Sequence, residues 1–467
     1  MSEINQVENQ TRNQAKRQAE SRAGNLDPKE AKRQKQMPWI MLACAVGMNF
    51  IFPGMLYNTL GVYTPIILRE YPAFPRSLFV FAITLGNLVT AAANVFYPKL
   101  RQKLGLRGMI LLGGMAILSG LFLYSSAQSL PMFYVGAALM GFSIATCASV
   151  STVLIVNNWF AKRHGTLVAV AMAGTGIGCA AFSAVYGVWI DWIGWRASMR
   201  LSGGMAAVLI ILLVLLLREK PEDIGLHKLW EEEAEEGAAD KAADKATDNT
   251  AEAGIQTSTD KGTDKNPENE DTKGHTSGKT KSANVFAVPA YRAVMAMAFL
   301  IGLIFYAMLS NMTVEAGDIG LPAVQIGFVS TVIFTVNVLT QLPVGMACDR
   351  FGSIKVLTVS FAAYIAALLF LAFGRVDFAG LCVVAGIAGY GKTVMNNLTA
   401  FLVQEFVPQE DKEQVLSLCV ALMTAGLAAG MYSVQLIYDL AGGYQPAYLL
   451  YVLISIGAVA LLHRLRR

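Results

Sequence analysis

Lys392 stands in the middle of a long apolar stretch, with Asn396 four residues on and Thr399 seven on, a spacing that puts all three on one face of a helix. An ammonium group with two polar neighbours along one stripe is suited to holding an anion, a carboxylate above all. With 378–402 as the apolar span, Lys392 lies roughly 20 Å from one end and about 15 Å from the other at helical rise. That is too deep for its stem to carry the charge out to water. Centring a lysine in hydrocarbon costs about 2.5–3.5 kcal/mol, so this one must face a wet cavity or a partner. The structural alternative is a lysine held by helix carbonyls or by neighbouring asparagines. On other apolar stretches Asn49, Tyr57, Thr146, Tyr306 and Asn337 could complete a substrate cavity, although each is equally suited to tying one helix to the next.

Two glycine patterns look like nucleotide chemistry and are better explained otherwise. Gly386-Ile-Ala-Gly-Tyr-Gly391-Lys392-Thr393 matches the spacing of a phosphate-binding loop, which needs a strand before it and a soluble α/β domain around it. Here the match lies inside an apolar span, so no nucleotide is expected. Gly174, Gly176 and Gly178 are likewise spaced for close helix packing. Cys44, Cys147, Cys179, Cys348, Cys382 and Cys419 show no metal-site spacing and no arrangement for an extracellular disulfide. His164, His227, His275 and His463 fall outside the spans or at their inner ends. Neither a metal nor another cofactor is expected. No Asp, Glu or His is placed deep in a span, which favours anion exchange or facilitated diffusion over proton symport. The exceptions would be a titrating Lys392, or a Glu315 and Asp318 that lie deeper than the span limits put them.

The elements that must position these residues are twelve apolar stretches of about 20 residues, each long enough to cross a roughly 30 Å hydrocarbon layer as a helix. The spans are 38–60, 77–98, 108–128, 131–155, 166–190 and 197–217, then 290–312, 323–345, 356–375, 378–402, 414–437 and 445–463. Hydrophobic residues make up 54% of the 467-residue chain and charged residues only 15%, which excludes an ordinary soluble enzyme. The fold expected is an all-α membrane protein of two six-helix bundles, 38–217 and 290–463. A polar tail, 1–37, precedes them, 464–467 follow them, and a linker, 218–289, joins them. From Glu231 to Ser282 the linker has Ile255 as its only large aliphatic residue, a composition that cannot bury enough surface to order itself. The tail offers no cleavable leader. Basic residues before the first span (Lys29, Lys32, Arg33, Lys35), in alternate loops (Lys99, Arg101, Lys103, Arg107, Lys162, Arg163, Arg350, Lys355) and at Arg464, Arg466 and Arg467 put both termini and the linker in the cytoplasm. Trp189, Trp192 and Trp195 read as anchors at the outer interface.

The halves repeat one another. Gly174 and Gly178 in the fifth span match Gly426 and Gly430 in the eleventh, and Tyr57 and Tyr306 share nearly the same offset in the first and seventh. Parallel six-helix copies imply a transporter with its site between the halves, near mid-bilayer.

The loop after the eighth span, Gly345-Met-Ala-Cys-Asp349-Arg350-Phe-Gly352, closely resembles the signature loop of the major facilitator superfamily. The resemblance implies a conformational latch, with glycines allowing a tight turn and Asp349 accepting hydrogen bonds at a helix N-terminus. The equivalent first-half loop keeps Gly105 and Arg107 but has Pro98 for the usual glycine and Gln102 for the usual aspartate. Asn158-Trp159-Phe160-Ala-Lys162-Arg163-His-Gly165, Gly194-Trp195-Arg196, Pro221-Glu222-Asp223-Ile-Gly225-Leu226 and Gly61-Val-Tyr63-Thr-Pro65 resemble the monocarboxylate transporter and oxalate/formate antiporter branch. That branch commonly brings a basic residue from the eighth span. Here Ile326 to Asn337 has none, and Lys392 in the tenth would replace it. The resemblance implies a monomeric carrier in the cytoplasmic membrane, moving a small organic anion, a mono- or dicarboxylate, by alternating access, with no nucleic-acid partner. A drug exporter of the same superfamily is a second reading, against which the fifth span lacks the Gly-Pro-x-x-Gly-Gly pattern of proton-coupled exporters. A transporter-like sensor is a third, against which the linker carries no folded output domain.

Overall fold

The structure, a computed structural model, describes residues 28–230, 288–374, 376–408 and 411–465. The first-half helices are α1 (Pro28–Asn49), a π-helical turn (Phe50–Tyr57), α2 (Leu60–Glu70), α3 (Arg76–Ser125), α4 (Leu130–Cys147), α5 (Ser149–Trp159) and α6 (His164–Leu216). Those of the second half are α7 (Pro289–Asp318), α8 (Ala323–Phe351), α9 (Ser353–Phe373), α10 (Phe378–Phe406), α11 (Lys412–Ala441) and α12 (Gln445–Leu465). Among the described residues, ten helical stretches are long and apolar enough to cross a membrane. Two of these, α3 at 50 residues and α6 at 53, are interrupted by Gly105 (φ +65°) and Gly194 (φ +78°). At each a residue with positive φ breaks the helix, a conformation glycine adopts without the Cβ penalty.

The chain divides into two compact units. The smaller consists of Met1–Ile40, Asn157–His164 and Lys220–Ala283. In it Leu229 donates to Trp159 O and accepts from Ala161 N, both at 2.9 Å, and Trp39, Phe160 and Trp230 form an aromatic cluster with centroids 5.8–6.3 Å apart. Gln34 makes two hydrogen bonds to the backbone of His227. The linker therefore begins as an ordered strap up to Trp230, and the low-complexity remainder, 231–287, lies outside the described residues.

The larger unit, Met41–Val156, Gly165–Glu219 and Asn284–Arg467, holds the helical core. Small residues set its closest approaches. A Cβ on Gly178 would sit 2.5 Å from Phe50 O, and one on Gly174 would collide with Val46 O. In the second half Gly426 and Gly430 press in the same way on Phe299 O and Leu303 O, and Gly302 on Met423 O. The repeated glycines thus bring the two halves' equivalent helix pairs into backbone contact, where dispersion and polar contacts replace the hydrophobic effect that hydrocarbon does not supply. Large apolar side chains such as Phe122, Val208, Leu215 and Phe373 are turned outward and largely exposed, a surface suited to lipid.

Several helices outrun their apolar spans. The first does not end near residue 60: after the π turn and a break at Asn58 and Thr59 it resumes and runs to Glu70. The seventh continues past 312 to Asp318, because the polar residues of its last turns are buried against other helices instead of lipid. Trp192 is exposed as an anchor should be, but Trp195 is buried and donates to Glu70 Oε2, tying α6 to α2.

Candidate functional site

Lys392 is held in place by its neighbours on α10. Asp377 caps that helix by accepting from Gly380 N at 2.7 Å, and the ladder then runs unbroken to Phe406. Next to the lysine, Thr393 donates to Asn337 O at 2.9 Å, accepts from Asn337 Nδ2 at 3.0 Å and bonds Thr340 Oγ1 at 2.8 Å. These bonds fix the rotation of α10 against α8. The glycines of the phosphate-loop pattern serve the same purpose: a Cβ on Gly389 would strike Ile333 O, and one on Gly391 would strike the ring of Tyr364. The pattern is a helix-packing device within a continuous helix.

So oriented, Lys392 enters the wall of a cavity. Its Nζ lies 5.0 Å from the centroid of the Phe334 ring, a cation–π contact. The cavity takes Tyr57, Asn58, Gly61 and Thr64 from the first helix and its continuation, and Tyr306, Ser310 and Thr313 from α7. The floor is apolar, with Val80, Ile83, Leu309, Ile333 and Met431. Lys392 is the one charged residue among those lining the cavity, and among the described residues no carboxylate pairs with it. Tyr57 is braced by donating to Asn87 Oδ1 at 3.0 Å. The mixture of an apolar body with a few convergent polar groups is typical of small-molecule sites.

Of the residues singled out in the sequence, Lys392, Tyr57 and Tyr306 meet at this cavity. Four others are engaged elsewhere. Asn49 donates to Thr152 Oγ1 at 2.6 Å and Ala45 O at 2.9 Å, Thr146 turns back onto Ser143 O, Asn337 holds Thr393, and Thr399 contacts Met423 Sδ at 3.4 Å. The side chain of Asn396 lies outside the described residues. Asn58, Ser310, Thr313, Ser330 and Phe334 were not anticipated. Ser310 and Thr313 stand four and seven residues after Tyr306, a helical stripe that could have revealed them.

The latch loops are partly described. Gly352 ends α8 with φ +84° and Arg350 lies 5.3 Å from the Phe351 ring, whereas the side chain of Asp349 lies outside the described residues. Gly345 is inside α8, not at the turn. In the first half a carboxylate that the sequence did not disclose sits at the Gly105 break. Glu219, just after α6, pairs with Arg101 at 2.9 Å and accepts from Leu106 N at 3.0 Å beside the Gly105 break, while Arg107 donates to Leu217 O at 2.7 Å.

A second polar cluster joins the two halves at the end of the helices away from the linker, here termed the far end. Arg76 pairs with Asp318; Asp439 accepts from Ser77 N at 2.9 Å and Arg76 N at 3.3 Å; Arg69 donates to Gly317 O and Leu321 O. Nearby, Ser183 and Ser330 bond at 2.9 Å and Val324 N donates to Asp191. Close by, Glu315 is only 5% exposed and accepts from Tyr448 OH. The sequence-derived span limits put Glu315 beyond the end of its span and left open that it could lie deeper; it is buried in the last turns of α7.

A helical repeat enclosing one polar cavity has clear counterparts among known proteins. The family pattern described as Major Facilitator Superfamily matches residues 39–322 and 294–467. The chain belongs to the Major Facilitator Superfamily. Within that superfamily it resembles the monocarboxylate transporter branch. It is 25% identical over 171 residues to monocarboxylate transporter 11 of Mus musculus, covering 36% of this chain and 37% of that protein. It is 33% identical over 103 residues to monocarboxylate transporter 12 of Xenopus laevis, covering 22% of each. The matches therefore span little more than a third of these relatives' length at most. The crystal structure of the nucleoside transporter NupG (D323A mutant) superposes with a TM-score of 0.65 at 11% identity, over 92% of this chain and 100% of that one, a likeness of fold. The protein is thus a member of a family of multi-pass membrane transporters with the major facilitator fold, which is not an enzyme class.

Proposed function

We propose that this superfamily member carries a small organic anion bearing a carboxylate across the cytoplasmic membrane, by alternating access of two six-helix bundles around Lys392. The observation that carries this is an ammonium that, among the described residues, no carboxylate pairs with, in a cavity otherwise lined by hydroxyls, an amide and apolar side chains. An unpaired cation at this depth is costly, and a bound carboxylate offsets that cost. The tyrosine, serine and threonine hydroxyls supply donors for the second carboxylate oxygen, and the apolar floor accepts the body of the anion.

Among the described residues, ten candidate stretches with helix breaks at Gly105 and Gly194 in the two longest support twelve crossings, an even number that would return both termini to one side. The basic residues of the first tail and of alternate loops make that side the cytoplasm. Asp349, Arg350, Gly352, Gly105 and Arg107 then belong to the cytoplasmic latch, with Glu219 in the place of the first-half aspartate. The cavity is lined by residues of one chain, which supports a monomeric transporting unit.

The test is uptake of labelled short-chain mono- and dicarboxylates into proteoliposomes, with and without trapped carboxylate, against the neutral amide of the same skeleton. Saturable uptake of the acid and not of the amide supports an anion carrier, and stimulation by trapped acid identifies exchange. Folded protein that moves none of the acids contradicts the proposal. Uptake of a labelled nucleoside in their place would align the substrate with that of the NupG structure.

A further inference from the structure

Ser330 of α8 lines the lysine cavity, and Ser183 stands behind it on α6 of the other half without lining the cavity itself. Their hydroxyl oxygens are 2.9 Å apart and both residues are buried. Around them α6 and α8 are closed against each other by backbone contact. A Cβ on Gly327 would strike Ser183 O, one on Gly187 would strike Ala323 O, and Thr331 donates to Ala180 O at 3.0 Å. The pair is thus walled by protein on the α6 side and borders the cavity on the α8 side.

Two hydroxyls carry two donors, and the bond between them uses one. A serine or threonine inside a helix commonly spends its proton on the carbonyl one turn back, as Ser310 does on Tyr306 O, Thr340 on Val336 O and Ser360 on Val356 O. Ser330 does not: among the described residues its one hydrogen-bond partner is Ser183, and the reverse holds for Ser183. One O–H of the pair therefore has no protein acceptor among the described residues, and the cavity is the open direction for it. Phe334, one turn along α8 from Ser330, meets Lys392 Nζ at 5.0 Å from its ring centroid. The face of α8 that carries Ser330 is thus the face that meets the ammonium.

We infer that Ser183 and Ser330 form a donor relay across the two halves: Ser183 donates to Ser330, and Ser330 donates its own proton to a carboxylate oxygen of the anion held by Lys392. The inference rests on the anion-carrier reading above and assigns that site a specific donor and a second residue behind it. Ser330 is the contact residue. Ser183 is a positioning residue, which keeps the Ser330 hydroxyl from turning back onto Ile326 O and polarises it toward the anion. The relay exists only while α6 and α8 are in contact. A bound anion therefore favours the closed seam, and by linkage the closed seam binds the anion more tightly.

The test is uptake of labelled acetate, butyrate and succinate into proteoliposomes by full-length wild type, Ser330→Ala, Ser183→Ala and the double variant, each checked for a single folded species by size-exclusion chromatography. Ser330→Ala loses a hydrogen bond to a charged group and should raise the KM about tenfold or more. Ser183→Ala should raise it about two- to tenfold although Ser183 does not line the cavity. The double variant should match Ser330→Ala within about twofold, because Ser183 acts only through Ser330. A second measurement uses spin labels at Ala73→Cys and Ala441→Cys across the far end, in a background with the native cysteines replaced. Adding the acid that is taken up should shift the distances toward the closed state in wild type and not in Ser183→Ala. A Ser183→Ala KM equal to that of wild type, costs that simply add in the double variant, or wild-type distances that ignore the acid overturn the relay while leaving the carrier reading in place. Wild type that moves none of the three acids contradicts the carrier reading, and the relay with it.

Discussion

At the scale of single residues, the cavity's chemistry rests on one cation and a small set of hydroxyls. Tyr57 is both wall and strut, its hydroxyl held by Asn87 at 3.0 Å. Tyr57→Phe removes a neutral hydrogen bond, about 0.5–1.5 kcal/mol, and should raise the KM for the transported anion by roughly two- to tenfold with folding intact. The concentration dependence of uptake checks this, and an unchanged KM would make Tyr57 only a strut. Lys392 was legible as a deep charge because hydrocarbon tolerates so few. Tyr57 and Tyr306 were legible through their repeat positions. Asn49, Thr146 and Asn337 stand out as polar residues in apolar spans, and Thr399 as the residue seven on from Lys392. Their side chains turn to neighbouring helices, since polarity in a span marks either a ligand or a link between helices. What separates the two is the rotation of each helix, which is set by partners distant in sequence such as Thr152 for Asn49.

At the scale of elements, small residues decide how closely the helices approach. Gly426→Ala pushes a methyl into Phe299 O and should destabilise the protein by about 1–3 kcal/mol, with Gly178→Ala doing the same against Phe50 O in the first half. Thermal unfolding in detergent checks both, and an unshifted midpoint would show that the helix pairs can separate without cost. Glu219→Ala removes the carboxylate that caps Leu106 N and pairs with Arg101, and should lower stability by about 1 kcal/mol on the same measurement. The glycine pairs were visible in the sequence because they recur at matched positions of the two halves. Glu219 was not, because it reaches the Gly105 turn from the far side of α6, more than a hundred positions away. The C-terminal limit set for α7 failed for a related reason: hydropathy reports what faces lipid, whereas Thr313 and Glu315 extend the helix while facing protein.

At the scale of the whole molecule, the far end is joined by contacts across the halves, from Arg76 to Asp318, Tyr444 and Asp439 and from Arg69 to α7. Asp439→Asn weakens the carboxylate's hold on the first turn of α3, and should shift the spin-label distances between Ala73→Cys and Ala441→Cys toward the open state. An unmoved distribution would make that contact incidental. The ten helical stretches, the two glycine breaks and the matched halves assemble into the major facilitator fold around one cavity, and the central claim is that its lone ammonium receives the substrate's charge. The most direct test is uptake of a labelled short-chain carboxylate into proteoliposomes by wild type, Lys392→Gln and Lys392→Arg, each checked for a single folded species by size-exclusion chromatography. The structure predicts uptake in wild type, loss with glutamine and partial retention with arginine. Wild-type rates in folded Lys392→Gln protein would contradict it.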